Sequence, residues 1–196
     1  MRFMQKSPPQ TITQVPIVSD SLQDLFDNLP QVGKLQWIGI RPERKAPMIE
    51  LSSVEAIACR GLTGDRYSSK NGKRQVTLIQ GEHLIAIASL LGRDVVAPTL
   101  LRRNLVVTGI NLIALKDKQF RVGDALLEYT GLCHPCSAME ATFGAGGYNA
   151  VRGHGGITAK IIEGGTMVLG DSVRLEKVVK KASRKDDLEQ TELFQM

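Results

Sequence analysis

The stretch FRVGDALLEYTGLCHPC, residues 120–136, decides the fold class. Its middle, Ala125–Thr130, is a short apolar and alternating run, entered after Gly123-Asp124 and left at Gly131. A run of that length between turn residues is a strand rather than an amphipathic helix. The same pattern recurs along the chain, at Lys34–Ile40, Ile49–Ile57, Gln75–Ile79, Asn104–Val107, Ile157–Ile162 and Ser172–Leu175. Several short strands at close spacing predict a mostly β fold, an antiparallel barrel or sandwich. Helical spacing is clearest in Glu82–Leu91, where Leu84, Ile87, Ala88 and Leu91 share one face and Gly92 follows as a stop.

A chain of 196 residues suffices for one domain, and a compact fold of that size buries roughly 70% of the surface its unfolded chain exposes. Apolar residues make up 42% and charged residues 23%, a globular rather than a disordered composition. Residues 1–32, with Pro8, Pro9, Pro16 and Pro30 and one short helical stretch around Ser21–Leu29, are expected to form an arm. The domain proper is expected over 33–177. The charged segment 178–196 then reads as a tail, with a surface helix carrying Val178, Val179 and Ala182 on one side.

The 25 basic and 20 acidic residues leave a net charge of +5, spread through the chain rather than gathered in a basic arm. That distribution favours a small anionic ligand over nucleic acid. Three cysteines, Cys59, Cys133 and Cys136, are an odd set with no secretory apolar segment ahead of them, so no disulfide framework is expected. The longest apolar run, near Leu84–Leu91, is interrupted by Ser89 and far short of a membrane span. The expectation is a reduced, cytoplasmic protein without a membrane partner.

The sharpest chemical feature is Cys133-His134-Pro135-Cys136. Structural zinc needs about four ligands, and Cys59, His83 and His154 do not stand at finger or ribbon spacing. A thioredoxin-like dithiol requires the C-x-x-C at a helix N-terminus in a βαβ unit, and neither crossover helices nor parallel strands are expected here. Two inert buried thiols are a third reading, opposed by the His, Pro, Ser and Gly neighbours that place the pair on a loop. The fourth is a single thiolate serving as a soft metal ligand or sulfur nucleophile. Downstream, Gly144, Gly146, Gly147, Gly153, Gly155, Gly156, Gly164 and Gly165 form either ordinary turns or a loop that a ligand approaches closely. No phosphate-binding glycine motif of the nucleotide type is present.

Read in order, Gly64-Asp65-Arg66, Arg74-Gln75-Val76-Thr77-Leu78-Ile79, Arg102-Arg103-Asn104-Leu105-Val106-Val107, FRVGDA at 120–125, Pro135-Cys136, Gly164-Gly165 and Gly170-Asp171-Ser172-Val173 resemble the motif set of the molybdenum-cofactor sulfurase C-terminal (MOSC) domain, over about residues 33–177. The resemblance implies a strongly bent antiparallel β-barrel, similar to the pyruvate-kinase barrel, with a few helices. It implies a pocket for the molybdenum cofactor (molybdopterin) and Cys136 as the metal ligand. The family pattern does not require Cys133, which is either a bystander or a resolving thiol.

A phosphate and an anionic dithiolene call for guanidinium and amide donors, so Arg103 and Asn104 are the leading cofactor contacts, with Arg102, Arg66 and Arg74 as further candidates. Arg102 and Arg103, adjacent on an expected strand, would point to opposite faces. Asp65 accepts hydrogen bonds from either a loop or the pterin, His134 adjoins the thiol as a proton relay, and His154 lies on the suspected ligand loop. Gly170-Asp171 reads as a hairpin turn.

The resemblance implies an oxidoreductase that reduces N-hydroxylated or related N–O compounds, its small-molecule substrates. With no flavin, haem or iron–sulfur motif in the chain, it would draw electrons from a donor protein. One alternative is a sulfur carrier or transferase that receives a persulfide on Cys136 from a cysteine desulfurase. Another is a non-catalytic cofactor-binding module.

Overall fold

A computed structural model describes residues 21–67 and 69–179. The proline-rich start of the expected arm, including Pro8, Pro9 and Pro16, and the expected tail helix with Ala182 lie outside the described residues.

Helix α1, Leu22–Asp27, opens the described chain, capped by Ser21 in a reciprocal box with Asp24. The strands follow as β1 (Gly33–Ile40), β2 (Ile49–Leu51), β3 (Ser53–Ile57), β4 (Gly61–Leu62) and β5 (Val76–Gln80). Helices α2 (Gly81–Leu90) and α3 (Pro98–Leu101) lead to β6 (Leu105–Thr108), and a short 3-10 turn, Leu112–Leu115, leads to β7 (Lys118–Val122) and β8 (Ala125–Leu132). Helices α4 (Ser137–Phe143) and α5 (Gly147–Val151) precede β9 (Ile157–Glu163), β10 (Gly165–Val168) and β11 (Ser172–Val178).

Seven strands close into a barrel in the order β11-β7-β8-β9-β5-β6-β1, with β1 pairing back onto β11 through Gly33 and Lys34. Strand β2 hangs from β1, and β10-β3-β4 form a separate small sheet. The fold is mostly β and barrel-shaped, as expected, but not wholly antiparallel. Strands β5 and β6 run parallel, joined by the crossover that contains α2 and α3. The expectation that the chain has no crossover helix and no parallel pair is therefore corrected. Strands β4, β7 and β10 are additions to the seven expected runs. Gly123-Asp124 makes a two-residue hairpin between β7 and β8, with Gly123 at φ +55 supplying the positive torsion of a type II′ turn. Gly170-Asp171 also turns the chain, but between β10 and β11, which pair with different strands, so it is not a hairpin.

Alternation splits the wall residues between two apolar clusters. Leu35, Val76, Leu78, Leu105, Val107, Phe120, Leu127, Ile157 and Ala159 face the barrel interior. On the other side, Ile79 and Val106 pack with Ile87, Leu101, Met139, Phe143 and Val151, so the helices lie against the outside of the β5–β6 wall. Burial of both faces is why Leu78-Ile79 of β5 and Leu105-Val106-Val107 of β6 are apolar without alternation. The same cluster brings α2, α4 and α5 into one layer, whose connecting loops carry the cysteines and glycines.

Strand β7 begins with two polar residues that are nonetheless buried, Lys118 and Gln119. The Lys118 ammonium is 3.1 Å from Asp27 at the end of α1, and Gln119 Nε2 donates to Glu128 on β8. The first of these contacts ties α1 to the barrel. No helix among the described residues is long and apolar enough to cross a membrane.

Candidate functional site

Past the helix layer, the outer face of the wall becomes polar. Thr77 on β5 and Asn104 just ahead of β6 pair there, Thr77 Oγ1 donating to Asn104 Oδ1 at 2.8 Å while the Asn104 N–H donates to Thr77 Oγ1 at 3.0 Å. Asn104 Nδ2 donates to the Gly39 carbonyl and to Asp65 Oδ2, and Asp65 also accepts from the backbone N–H groups of Arg41 and Tyr67. Burial raises the Asp65 pKa, and the Tyr67 and Asn104 hydrogen bonds and the Arg66 charge offset part of that rise. Both residues are thus committed to fastening the segment after β4 onto β1 and β6. The Asn104 amide spends its hydrogen-bonding capacity within this knot. Arg66 is exposed beside this knot.

Arg102 and Arg103 do not lie on a strand. Arg102 is the left-handed C-cap of α3, at φ +58 and half-buried, and Arg103 follows in the turn before β6. The opposite-face expectation is therefore replaced by a turn in which only Arg103 goes inward. Its guanidinium, 8% exposed, donates from Nε to the Gly155 carbonyl at 2.7 Å and from Nη1 to the Leu101 carbonyl at 2.7 Å. Nη2 lies 3.4 Å from the Cys133 carbonyl. Arg103 is a brace across α3, the thiol loop and the glycine loop, rather than a free fork for phosphate. Burial pulls its pKa below the usual guanidinium value, while the negative charge available at Cys133 and Cys136 acts in the opposite direction.

Register explains how the thiol loop reaches this point. Strand β8 pairs with β9 from Leu126 to Leu132 with a shift between Tyr129 and Gly131, and the Cys133 N–H donates to the Gly156 carbonyl at 2.8 Å. Cys133 is buried, with Arg74 Nη2 at 3.9 Å from its Sγ. Cys136 is exposed as the N-cap residue of α4, its carbonyl accepting from the Met139 N–H. His134 between them is exposed. The C-x-x-C lies on the loop between β8 and α4, and because β8 and β9 run antiparallel that short helix is not part of a βαβ unit.

The glycine cluster divides by cause. Gly144 and Gly146, at φ +89 and +87, turn the chain between α4 and α5, where Glu140 accepts from the Gly146 and Tyr148 N–H groups. Those two hydrogen bonds hold the Glu140 carboxyl below its usual pKa. Gly155 and Gly156 instead permit close approach: a Cβ at Gly155 would stand 2.1 Å from the Cys133 carbonyl oxygen, and one at Gly156 would stand 1.9 Å from that of Leu78. Gly155 lets the α5–β9 loop press against the thiol loop, and Gly156 lets it press against β5.

His154, one residue earlier on that loop, meets His83 from the first turn of α2, with ring centroids 5.1 Å apart at 78°. The Nδ1 atoms of both rings are buried without a partner. Burial, reinforced by the His154 charge, lowers the His83 pKa, and Glu82 opposes the shift. Below pH 6.5 the unfolded chain therefore takes up a proton that the folded chain resists, and this contribution to stability is lost as pH falls through the folded-state pKa. Thermal unfolding should accordingly show a midpoint that declines on acidification below pH 6.5, and His83→Gln should flatten that decline. An unchanged profile in the variant would remove His83 from the account. His83 had no signal in the sequence beyond its place in a helical run, because its partner lies 71 positions away.

The structure thus brings together Cys133, Cys136, His134, Arg74, Arg103 and His154. Asp65 and Asn104 form the adjoining structural knot, and among the described residues no contact joins the exposed Arg66 or the half-buried Arg102 to the thiols.

Comparison with known proteins agrees with the barrel. The YuaD protein of Bacillus subtilis superposes with a TM-score of 0.65 at 17% identity, covering 76% of this chain and 98% of its own. YiiM from Escherichia coli gives 0.59 at 18%, covering 76% and 72%, and YiiM from Geobacillus stearothermophilus gives 0.57 at 14%, covering 74% and 75%. No curated protein matches. The MOSC domain profile matches residues 61–174, which run from β4 into β11 and include the thiol loop, the brace and the glycine loop. This chain belongs to the MOSC domain family.

Proposed function

We propose that the protein binds the molybdenum cofactor through Cys136 and works as an oxidoreductase on N-hydroxylated or related N–O compounds. MOSC domains are known in molybdenum-cofactor-binding proteins. The observation that carries the reading to this chain is the exposed Cys136 sulfur on a loop whose neighbours are guanidinium groups rather than carboxylates.

The donor set fits such a group at its metal end. A thiolate is the soft ligand that molybdenum accepts, and among the described residues no cluster of His, Cys, Asp and Glu offers a competing hard-metal site. At the anionic end the fit shifts from the expected residues. Arg103 is engaged by carbonyls, so Arg74 is the guanidinium in place beside the Cys133 sulfur. When bound, the cofactor would supply the electron transfer that breaks the N–O bond.

The remaining work falls to the chain. Arg103 fixes the spacing of the thiol and glycine loops, Gly155 keeps that spacing short, and His134, next to Cys133 in the chain, is a group able to carry a proton. Electrons would come from a donor protein. The test is turnover of an aromatic hydroxylamine by cofactor-loaded protein with a reduced viologen as donor. Stoichiometric amine formation is the expected result, and cofactor-loaded protein that forms no amine would contradict the reductase reading.

The exposure of Cys136 also favours a second reading, in which its sulfur receives a persulfide from a cysteine desulfurase. That carrier needs no metal, so sulfane sulfur on metal-free protein separates the two.

A further inference from the structure

Cys133 has no part in the reading above, yet it is a buried thiol held against a guanidinium three residues from the exposed Cys136. We infer that the two are a redox pair, in which Cys136 is oxidised by a hydroperoxide and Cys133 resolves it to a disulfide. The inference does not depend on a bound cofactor.

Three observations carry it. First, accessibility is asymmetric: a small oxidant from solvent meets Cys136 and not Cys133. Second, the surroundings are cationic. Arg74 Nη2 lies 3.9 Å from the Cys133 sulfur and Arg103 Nη2 lies 3.4 Å from the Cys133 carbonyl, so two guanidinium groups face the resolving residue. Third, the loop is anchored at its two ends, by the Cys133 N–H on Gly156 and by the Cys136 carbonyl at the start of α4, with only His134 and Pro135 between. Disulfide geometry asks for Cβ atoms about 4 Å apart, so the pair requires His134 and Pro135 to tighten into a turn between the two anchors.

The chemistry balances without a further reagent. The Cys136 thiolate attacks one peroxide oxygen, the O–O bond breaks, and hydroxide leaves, giving a sulfenic acid. The Cys133 thiolate then attacks that sulfur, forming the S–S bond while the S–O bond breaks and the oxygen leaves as water after taking a proton. Two thiols and one hydrogen peroxide yield one disulfide and two waters. The disulfide removes the Cys136 sulfur from any metal or persulfide and moves the Cys133 carbonyl that faces Arg103. Reduction by a dithiol restores both.

The full chain, reduced and freed of reductant, should be treated with stoichiometric hydrogen peroxide, alkylated and mapped by mass spectrometry. The expected product is a peptide holding Cys133 and Cys136, both unalkylated and lighter by two hydrogens, with Cys59 still alkylated and full reversal by dithiothreitol. In Cys133→Ser, and in Cys133→Ala should the serine fail to fold, oxidation should halt at a Cys136 sulfenic acid trapped by dimedone. Arg74→Gln should form the disulfide several-fold more slowly. A wild-type protein that accumulates oxidised Cys136 while Cys133 stays alkylatable, that bridges through Cys59, or that does not react would overturn the pair.

Discussion

Replacement of Cys136 by serine should abolish retention of molybdenum and pterin, and abolish persulfide loading, while the circular dichroism spectrum stays that of the wild-type barrel. The side chain is exposed at the N-cap of α4, so the fold loses no packing. Serine is also a preferred N-cap residue, and its hydroxyl can satisfy the orphan N–H groups of α4 better than a thiol. What changes is the donor: oxygen for sulfur removes the softness that selects the metal or accepts sulfane sulfur. Cys133→Ser should have a much smaller effect on metal, because that sulfur is buried and faces Arg74. Equal loss in both single variants would mean that the thiols act as a joint site and that Cys136 has been given a role it shares.

The second large effect is on stability and concerns Arg103. Arg103→Leu should lower stability by about 3 kcal/mol, since hydrogen bonds to a charged group are worth about 1.5–3 kcal/mol each and two short ones are lost from a buried site, with relief of the charge burial offsetting part. For a chain of this size that is a fall of roughly 6–12 °C in Tm. Arg103→Lys should recover only part of it, because one ammonium cannot reach carbonyls on α3 and on two different loops at once. Arg102→Lys, at a half-buried cap position, should stay within about 0.5 kcal/mol of wild type. Thermal denaturation of the three variants checks the ranking, and a neutral Arg103→Leu would show that the guanidinium braces nothing.

The fold was legible where burial and the strand period agree. Lys34–Ile40, Gln75–Ile79, Ala125–Thr130 and Ile157–Ile162 each carry apolar residues at the positions that face the barrel interior. Strand β7 escaped because it opens on Lys118 and Gln119, polar residues whose burial depends on Asp27 and Glu128 elsewhere in the chain. Strand β10 lies beside Gly164-Gly165, which reads as a turn until Gly165 is seen paired with Ala56. The parallel β5–β6 pair was hidden because its crossover ends in a helix of only four residues. In the site, Cys136 stood out by residue type and loop context. The role of Arg103 did not, since its partners are backbone carbonyls of Leu101, Cys133 and Gly155, and no side chain in the sequence marks them.

The direct measurement of cofactor binding is inductively coupled plasma mass spectrometry of the full chain, purified from cells that make the cofactor, paired with fluorescence of the oxidised pterin from the same sample. Molybdenum and pterin should appear together, approaching one of each per chain in the wild type, and be lost together in Cys136→Ser. Wild-type protein free of both, or Cys136→Ser protein that keeps both, would contradict cofactor binding through Cys136.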